Sequence, residues 1–262
     1  MKKIFGVLAF FISSGLQGQS LHPDFNLSAV QLASLVSSLP RETQELVASS
    51  PSEFLGLISE ILSQDSRYVI LVDKTHALSA EDEPEDMVSL DDYPVKVSRR
   101  GMTLRNAIMP AVLVLTEKAR QAGAEPIISS TYRSYSYQEG LFNRYAARDG
   151  VEQANRYSAR AGQSQHQLGT AFDLGDITNA FATTAAGRWM AENGGSFGFS
   201  LSYPRGYESE TGYQWESWHW RYIGVAACKM QKTYFEDLQF KLLTYLHRAL
   251  PEFRRAWKGR GP

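Results

Sequence analysis

Apolar positions in residues 21–66 recur in three short helical stretches. Ser28 can cap the first, which carries Val30, Leu32, Leu35 and Val36. Pro40 opens the second. Ser52 opens the third, with Phe54, Leu55, Leu57, Ile58 and Ile61 as its apolar set. The texture changes after residue 66. Residues 68–72 are a β-branched run, and residues 81–86 an acidic loop containing Pro84. Leu104, Ile108, Val112, Leu115 and Ala119 then recur at helical spacing. They predict a long helix capped by Thr103, kinked by Pro110 and stopped by Gly123.

Residues 127–130 read as a strand, and Ser134 or Ser136 starts a helix through Leu141, Phe142 and Tyr145. Residues 169–174 and 218–222 read as strands, and residues 179–193 as a helix. Helices and short strands mix without a βαβ rhythm, which predicts an α+β fold around an antiparallel sheet. Residues 226–262 read as a helical tail. Phe235, Leu238, Leu242, Tyr245 and Leu246 share its apolar face, and Arg248, Arg254, Arg255, Lys258 and Arg260 make its end basic.

Lys2 and Lys3 precede a short apolar run, residues 4–16, and then small and polar residues. That order is a secretory signal peptide, residues 1–20. The run is shorter than the roughly 20 residues that span a bilayer, so cleavage is expected rather than a retained anchor. The protein is therefore expected outside the cytoplasm, in the periplasm or beyond the cell. Membrane contact is expected only through the signal segment, or weakly through the basic tail. A net charge of -1 argues against a nucleic-acid binder. Cys228 is the one cysteine, so no internal disulfide forms, and it reads as a buried apolar residue.

Of the 5 histidines, His22, His76 and His247 read as surface residues. His166 is different: it ends a loop, and Asp173 follows seven residues later on the next strand. His219 sits between two tryptophans in Glu216-Ser217-Trp218-His219-Trp220. Each segment alone has a bland explanation in surface or core. Together they offer two imidazoles and a carboxylate, three ligands with a fourth position open, which is the pattern of a catalytic zinc ion. Such an ion lowers the pKa of water to about 7. Glu216, three residues before a ligand, is the candidate general base and acid. Strict alternation puts Glu216 on the face opposite His219, so it must precede the regular strand to reach the metal. A third segment, Ser129-Ser130-Thr131-Tyr132-Arg133, joins strand to helix. There Arg133 can aim at an oxyanion or a substrate carboxylate, and Gln138 can hydrogen-bond a peptide.

Tyr132-Arg133-Ser134, Ser164-x-His166-x-x-Gly169-x-Ala171-x-Asp173 and Glu216-x-x-His219, in this order, resemble the VanY group of D-alanyl-D-alanine carboxypeptidases. That group sits among zinc peptidases with a hedgehog-like fold. Leu71-Val72-Asp73-Lys74 upstream also matches, although Asp73 stands where relatives often have Asn. The resemblance implies one zinc ion on His166, Asp173 and His219, a catalytic Glu216, and Arg133 near the scissile carbonyl. It implies a substrate pocket lined by Ser129, Ser164 and Gln138. It implies a catalytic domain over residues 67–225, with residues 21–66 and 226–262 as additions of no matched role. The expected activity is removal of a terminal D-alanine from peptidoglycan stem peptides. An L,D-carboxypeptidase, a dipeptidase or a wall endopeptidase keeps the same chemistry. A zinc-holding binding module is the alternative of another class, and Glu216 argues against it. Tyr203, Tyr207, Tyr213 and Trp215 are expected to wall the pocket.

Overall fold

Local signals set most helix starts in the computed structural model, which describes residues 20–259. The expected signal peptide, but for Ser20, lies outside the described residues, as does Arg260. In α1 (Ala29–Leu35), Ser28 and Gln31 form a capping box, each side chain meeting the other's backbone N–H. Helix α2 (Arg41–Ser49) follows Pro40 as expected. Helix α3 (Pro51–Leu62) starts at Pro51, ahead of Ser52, because a proline in the first turn removes only an N–H that no helix bond needs. The 68–72 run is not extended at its start. Residues Ser66–Val69 form a 3-10 turn, in which Asp65 accepts from the Arg67 N–H at 2.9 Å.

The long helix expected from Thr103 is corrected. Residues Thr103–Arg105 form β2, paired antiparallel with β1 (Met87–Ser89). Long-range partners override helical spacing here: the Arg105 guanidinium holds Asp65 and Asp86, each at 2.6 Å. Helix α4 (Met109–Gln121) begins only afterwards. Pro110 lies in its first turn, so it opens the helix instead of kinking it. Then come β3 (Ile128–Ser130), α5 (Tyr135–Asp149, capped by Ser134), α6 (Val151–Tyr157) and β4 (Ala171–Leu174). Residues 179–193 are not one helix. A 3-10 turn, Asn179–Thr183, ends at Thr184, whose hydroxyl caps α7 (Ala185–Asn193). Strand β5 (Phe199–Leu201), the single turn α8 (Glu208–Thr211), β6 (His219–Tyr222), α9 (Val225–Tyr234) and α10 (Gln239–Ala256) complete the order.

The central sheet runs β3-β4-β6-β5, antiparallel at every pair. Its two faces differ in chemistry because side chains alternate along each strand. Phe172, Leu174, Phe199, Trp220 and Tyr222 fill one face and pack with Leu104, Val112 and Leu115. The other face pairs Asp173 with His219 and Ser200 with Arg221, all buried.

The terminal pieces are one body rather than two appendages. Leu32, Phe54, Ile58 and Leu62 share a core with Met230, Leu242, Leu246 and Phe253. Phe253 meets the rings of Phe25 at 6.2 Å and Phe54 at 6.1 Å. The backbone closes the same seam: the Asn26 N–H donates to Ala256 and the Lys258 N–H to Asp24, both at 2.8 Å. Phe235 and Leu238 lie in the link between α9 and α10, yet both stay buried. Among the described residues no helix is long and apolar enough to cross a membrane.

Phe253→Ala should therefore cost about 3–5 kcal/mol of stability. Urea unfolding should show a lowered midpoint with an unchanged slope. A change below about 1 kcal/mol would mean that the two ends do not share a cooperative core.

Candidate metal centre

Strand register brings two of the expected ligands side by side. Asp173 on β4 lies directly opposite His219 on β6. His166 arrives from a 3-10 turn, Gln165–Leu168, capped by the Ser164 hydroxyl, which accepts from the His166 N–H at 3.3 Å. Gly169 ends that turn in the left-handed region, at φ +67°. A Cβ there would stand 2.9 Å from Arg105 Cγ, so the motif's glycine is required both by conformation and by space.

His166 Nε2 lies 3.2 Å from Asp173 Oδ2, and His219 Nδ1 lies 3.1 Å from Asp173 Oδ1. One ligand atom from each residue falls within 4.8 Å of the others. Bonds of about 2.0–2.1 Å in a tetrahedron set ligand atoms roughly 3.3 Å apart, so the donor set fits a zinc ion. The other ring nitrogens are occupied. His166 Nδ1 donates to the Thr131 carbonyl at 2.7 Å, and His219 Nε2 to Gln165 Oε1 at 3.3 Å. Both arrangements leave a lone pair on the nitrogen that faces Asp173.

Charge in the pocket is arranged for a cation. Burial, and then the Arg133 guanidinium, bring the His166 imidazole down to about 4. Burial alone would raise Asp173. The His166 and His219 rings and Arg133 outweigh it and hold the carboxyl well below the usual range. Glu216 goes the other way: burial, and then the charge of Asp173, raise it well above 4.5, against the pull of Arg133.

Glu216 does precede the regular strand. The His219 N–H donates to the Glu216 carbonyl at 3.3 Å, and this turn brings a Glu216 oxygen 3.6 Å from His219 Nδ1. Asn179 braces the same turn, donating to the Trp215 carbonyl and accepting from the Ser217 N–H. Arg133 donates to Asp173 Oδ2 at 2.8 Å and to the Ser130 hydroxyl at 2.9 Å. All five residues line a half-open cavity of about 400 Å³.

Residues 101–225 match the family model VanY, described as D-alanyl-D-alanine carboxypeptidase. Over those residues, just under half of the chain, it is similar to the VanY family. It is 32% identical to the carboxypeptidase-like protein YodJ of Bacillus subtilis over 180 residues, 65% of each chain. It thus spans just under two thirds of that relative's length. A solved structure of the LdcB LD-carboxypeptidase superposes with a TM-score of 0.62 at 29% identity, covering 71% of this chain and 98% of that one. A solved VanY D,D-pentapeptidase in complex with Zn(II) gives 0.55 at 29% identity, covering 69% and 99%.

The VanY signature residues divide into those that reach the cavity and those that build its wall. Ser164 lines the cavity. Ser129 and Gln138, expected beside it, are not among the lining residues. An irregularity in β3 between Ile128 and Ser130 turns Ser130 to the Asp173 face, and the Ser129 hydroxyl instead donates to the Gly175 carbonyl at 2.6 Å. Gln138 is buried and donates to the carbonyl of Ala159, a lining residue, at 2.7 Å. Of the expected aromatic wall, Tyr203 and Tyr213 line the cavity, with the Tyr203 ring 4.9 Å from that of His219. Tyr207 packs on Phe240 instead, and Trp215 lies under Arg205. The upstream match has a structural use: the Lys74 ammonium sits 4.5 Å over the Tyr213 ring and bonds the Asn155 carbonyl. Leu141, Tyr145, Tyr157 and Ile177 also line the cavity. Composition did not single them out, because pocket walls are drawn from ordinary apolar and aromatic residues.

The metal-free protein provides a direct check on this electrostatic picture. His166 should stay neutral well below 6.5 and titrate near 4, read from its ring resonances. The unfolded chain takes up that proton near 6.5. This group's contribution to stability is therefore intact above 6.5 and is lost as the pH falls to about 4. Titration of His166 at an ordinary 6.5 would mean that its ring is not buried as described.

Proposed function

We propose that this chain is an exported zinc peptidase of the bacterial cell wall that removes a terminal D-alanine from peptidoglycan stem peptides. The supporting observation is a buried carboxylate, Glu216, beside a two-imidazole, one-carboxylate cluster in a cavity open to a peptide. A structural site has no use for the extra carboxylate, because it closes the metal with protein ligands alone. The D-alanyl-D-alanine specificity comes from the description of the matching family. Export is supported by the order of the first residues and suits a substrate outside the membrane.

His166, Asp173 and His219 would hold the zinc ion. When bound, zinc acts as a Lewis acid that lowers the pKa of water and polarises a carbonyl. Glu216 takes the proton of the attacking water and gives it to the leaving nitrogen, so the peptide C–N bond breaks as the C–O bond forms. Arg133 is anchored through Nη2 to Asp173 and Ser130, and its guanidinium faces the cavity. It can meet the carbonyl oxygen or the terminal carboxylate of the peptide. Tyr203 and Tyr213 shape the wall that the peptide passes.

The LdcB likeness supports a second reading, an L,D-carboxypeptidase acting on tetrapeptides. One panel separates the two. Purified protein with zinc, mixed with pentapeptide and tetrapeptide muropeptides, should release alanine detected by mass spectrometry. Pentapeptide cleavage supports the first reading and tetrapeptide cleavage the second. No product from either substrate would remove both.

Glu216→Gln should leave the fold and zinc content unchanged while turnover drops about 10²–10⁴-fold. Normal turnover in that variant would remove Glu216 from the chemistry. Chelation should abolish activity and added zinc should restore it. Undiminished activity in protein shown by metal analysis to be empty would contradict the metal requirement.

A further inference from the structure

A buried hydrogen-bond chain runs from His219 to the C-terminal helices. His219 Nε2 meets Gln165 Oε1 at 3.3 Å, and Ser202 Oγ donates to that same oxygen at 2.7 Å. Gln165 Nε2 donates to Gln239 Oε1 at 3.3 Å, and Gln239 Nε2 donates to the Ser200 carbonyl at 3.2 Å. Gln165, Gln239, Ser200 and Ser202 are all buried, so water does not compete for these positions.

The polarity of this chain follows from its far end. A backbone carbonyl only accepts, so Gln239 must turn its NH₂ group to Ser200. Its Oε1 then faces Gln165, which must answer with its own NH₂ group. That leaves Gln165 Oε1 for His219, so His219 Nε2 must carry the proton. Nδ1 is then the nitrogen that would take a metal, with Asp173 3.1 Å and Glu216 3.6 Å away; without a metal it faces the Asp173 carboxylate as a second acceptor. Strand β5, which carries Ser200, is pinned in turn. The Ser200 hydroxyl donates to Gln231 on α9 at 2.8 Å, and Gln231 donates to Asp237 Oδ1 at 2.8 Å.

We infer that Gln239 is a positioning residue: through Gln165 it sets the ring tautomer of His219, and so prepares Nδ1 to bind the metal. This rests on His219 being a ligand, as proposed above. Gln239 opens α10, beyond the residues matched by the family model, which end at 225. The C-terminal helices thereby take part in the metal centre from behind.

Nitrogen-15 spectra of the imidazoles in the metal-free full-length protein test the first step. His219 should hold its proton on Nε2. A ring without a proton on Nε2 in the unaltered protein overturns the inference without any variant. The second step is a pair of variants read by zinc affinity in chelator competition. Gln239→Leu frees the Gln165 amide to turn over, and should weaken zinc binding about 10–100-fold. In a Gln165→Glu background both side-chain oxygens accept, so orientation no longer matters and Gln239→Leu should have no further effect. An equal loss in both backgrounds would mark Gln239 as a packing residue only, and no loss in either would remove it from the relay. If the unaltered protein shows the Nε2 proton but binds no zinc, the inference about the relay stands and the metal-centre reading falls.

Discussion

The Asp173 carboxylate is 2% exposed, and most of the site is arranged around that burial. A carboxylate removed from water must be paired and fully hydrogen-bonded, or it takes up a proton. Arg133 donates to one Asp173 oxygen, and the His166 and His219 nitrogens that would share a metal with it stand 3.2 and 3.1 Å from the carboxylate. Glu216 then adds a second buried carboxylate to the same pocket. One guanidinium does not neutralise both, and the imbalance is visible in the opposite displacements of the two acids. A divalent cation on His166, Asp173 and His219 would favour the ionised form of both acids, so a metal and a base could share so small a space.

The sheet makes this arrangement rigid. Asp173 and His219 are cross-strand neighbours, so their separation is set by the ladder and not by loop conformation. The face behind them is entirely apolar, with Phe172 and Trp220 interlocked in adjacent strands. A one-residue slip of β4 against β6 would put these aromatic rings where the ligands are, and the apolar core penalises that strongly. The same packing that stabilises the sheet therefore holds the ligand geometry.

What was legible in the sequence was local. Ser164, His166, Gly169 and Asp173 lie within one turn and one strand, and each has a short-range reason for its identity. The α+β class and most helix starts were readable for the same reason. Strand β5 was not, since three residues flanked by glycine-rich and polar segments carry little periodicity of their own. The β1–β2 hairpin was hidden because Thr103–Arg105 fits a helical pattern as well as a strand, and only Asp65 and Asp86 decide between them. Ser129 against Ser130 turns on a break in the β3 register after Ile128, which a run of two serines does not reveal. Thr131, Gln165 and Asn179 were missed because they act through a backbone carbonyl or through amides whose partners are distant in sequence.

The seam between the chain's two ends also sets an order of events. Residues 24–26 pair with residues 256–258, so the terminal core joins positions separated by almost the whole polypeptide. In a growing chain Leu32, Phe54 and Ile58 lack the full set of their core partners until Val225–Tyr234 and Gln239–Ala256 have emerged. The His166 and Asp173 motif is synthesised well before that, yet the scaffold behind it closes last. The terminal core is thus complete only once residues 256–258 have joined residues 24–26.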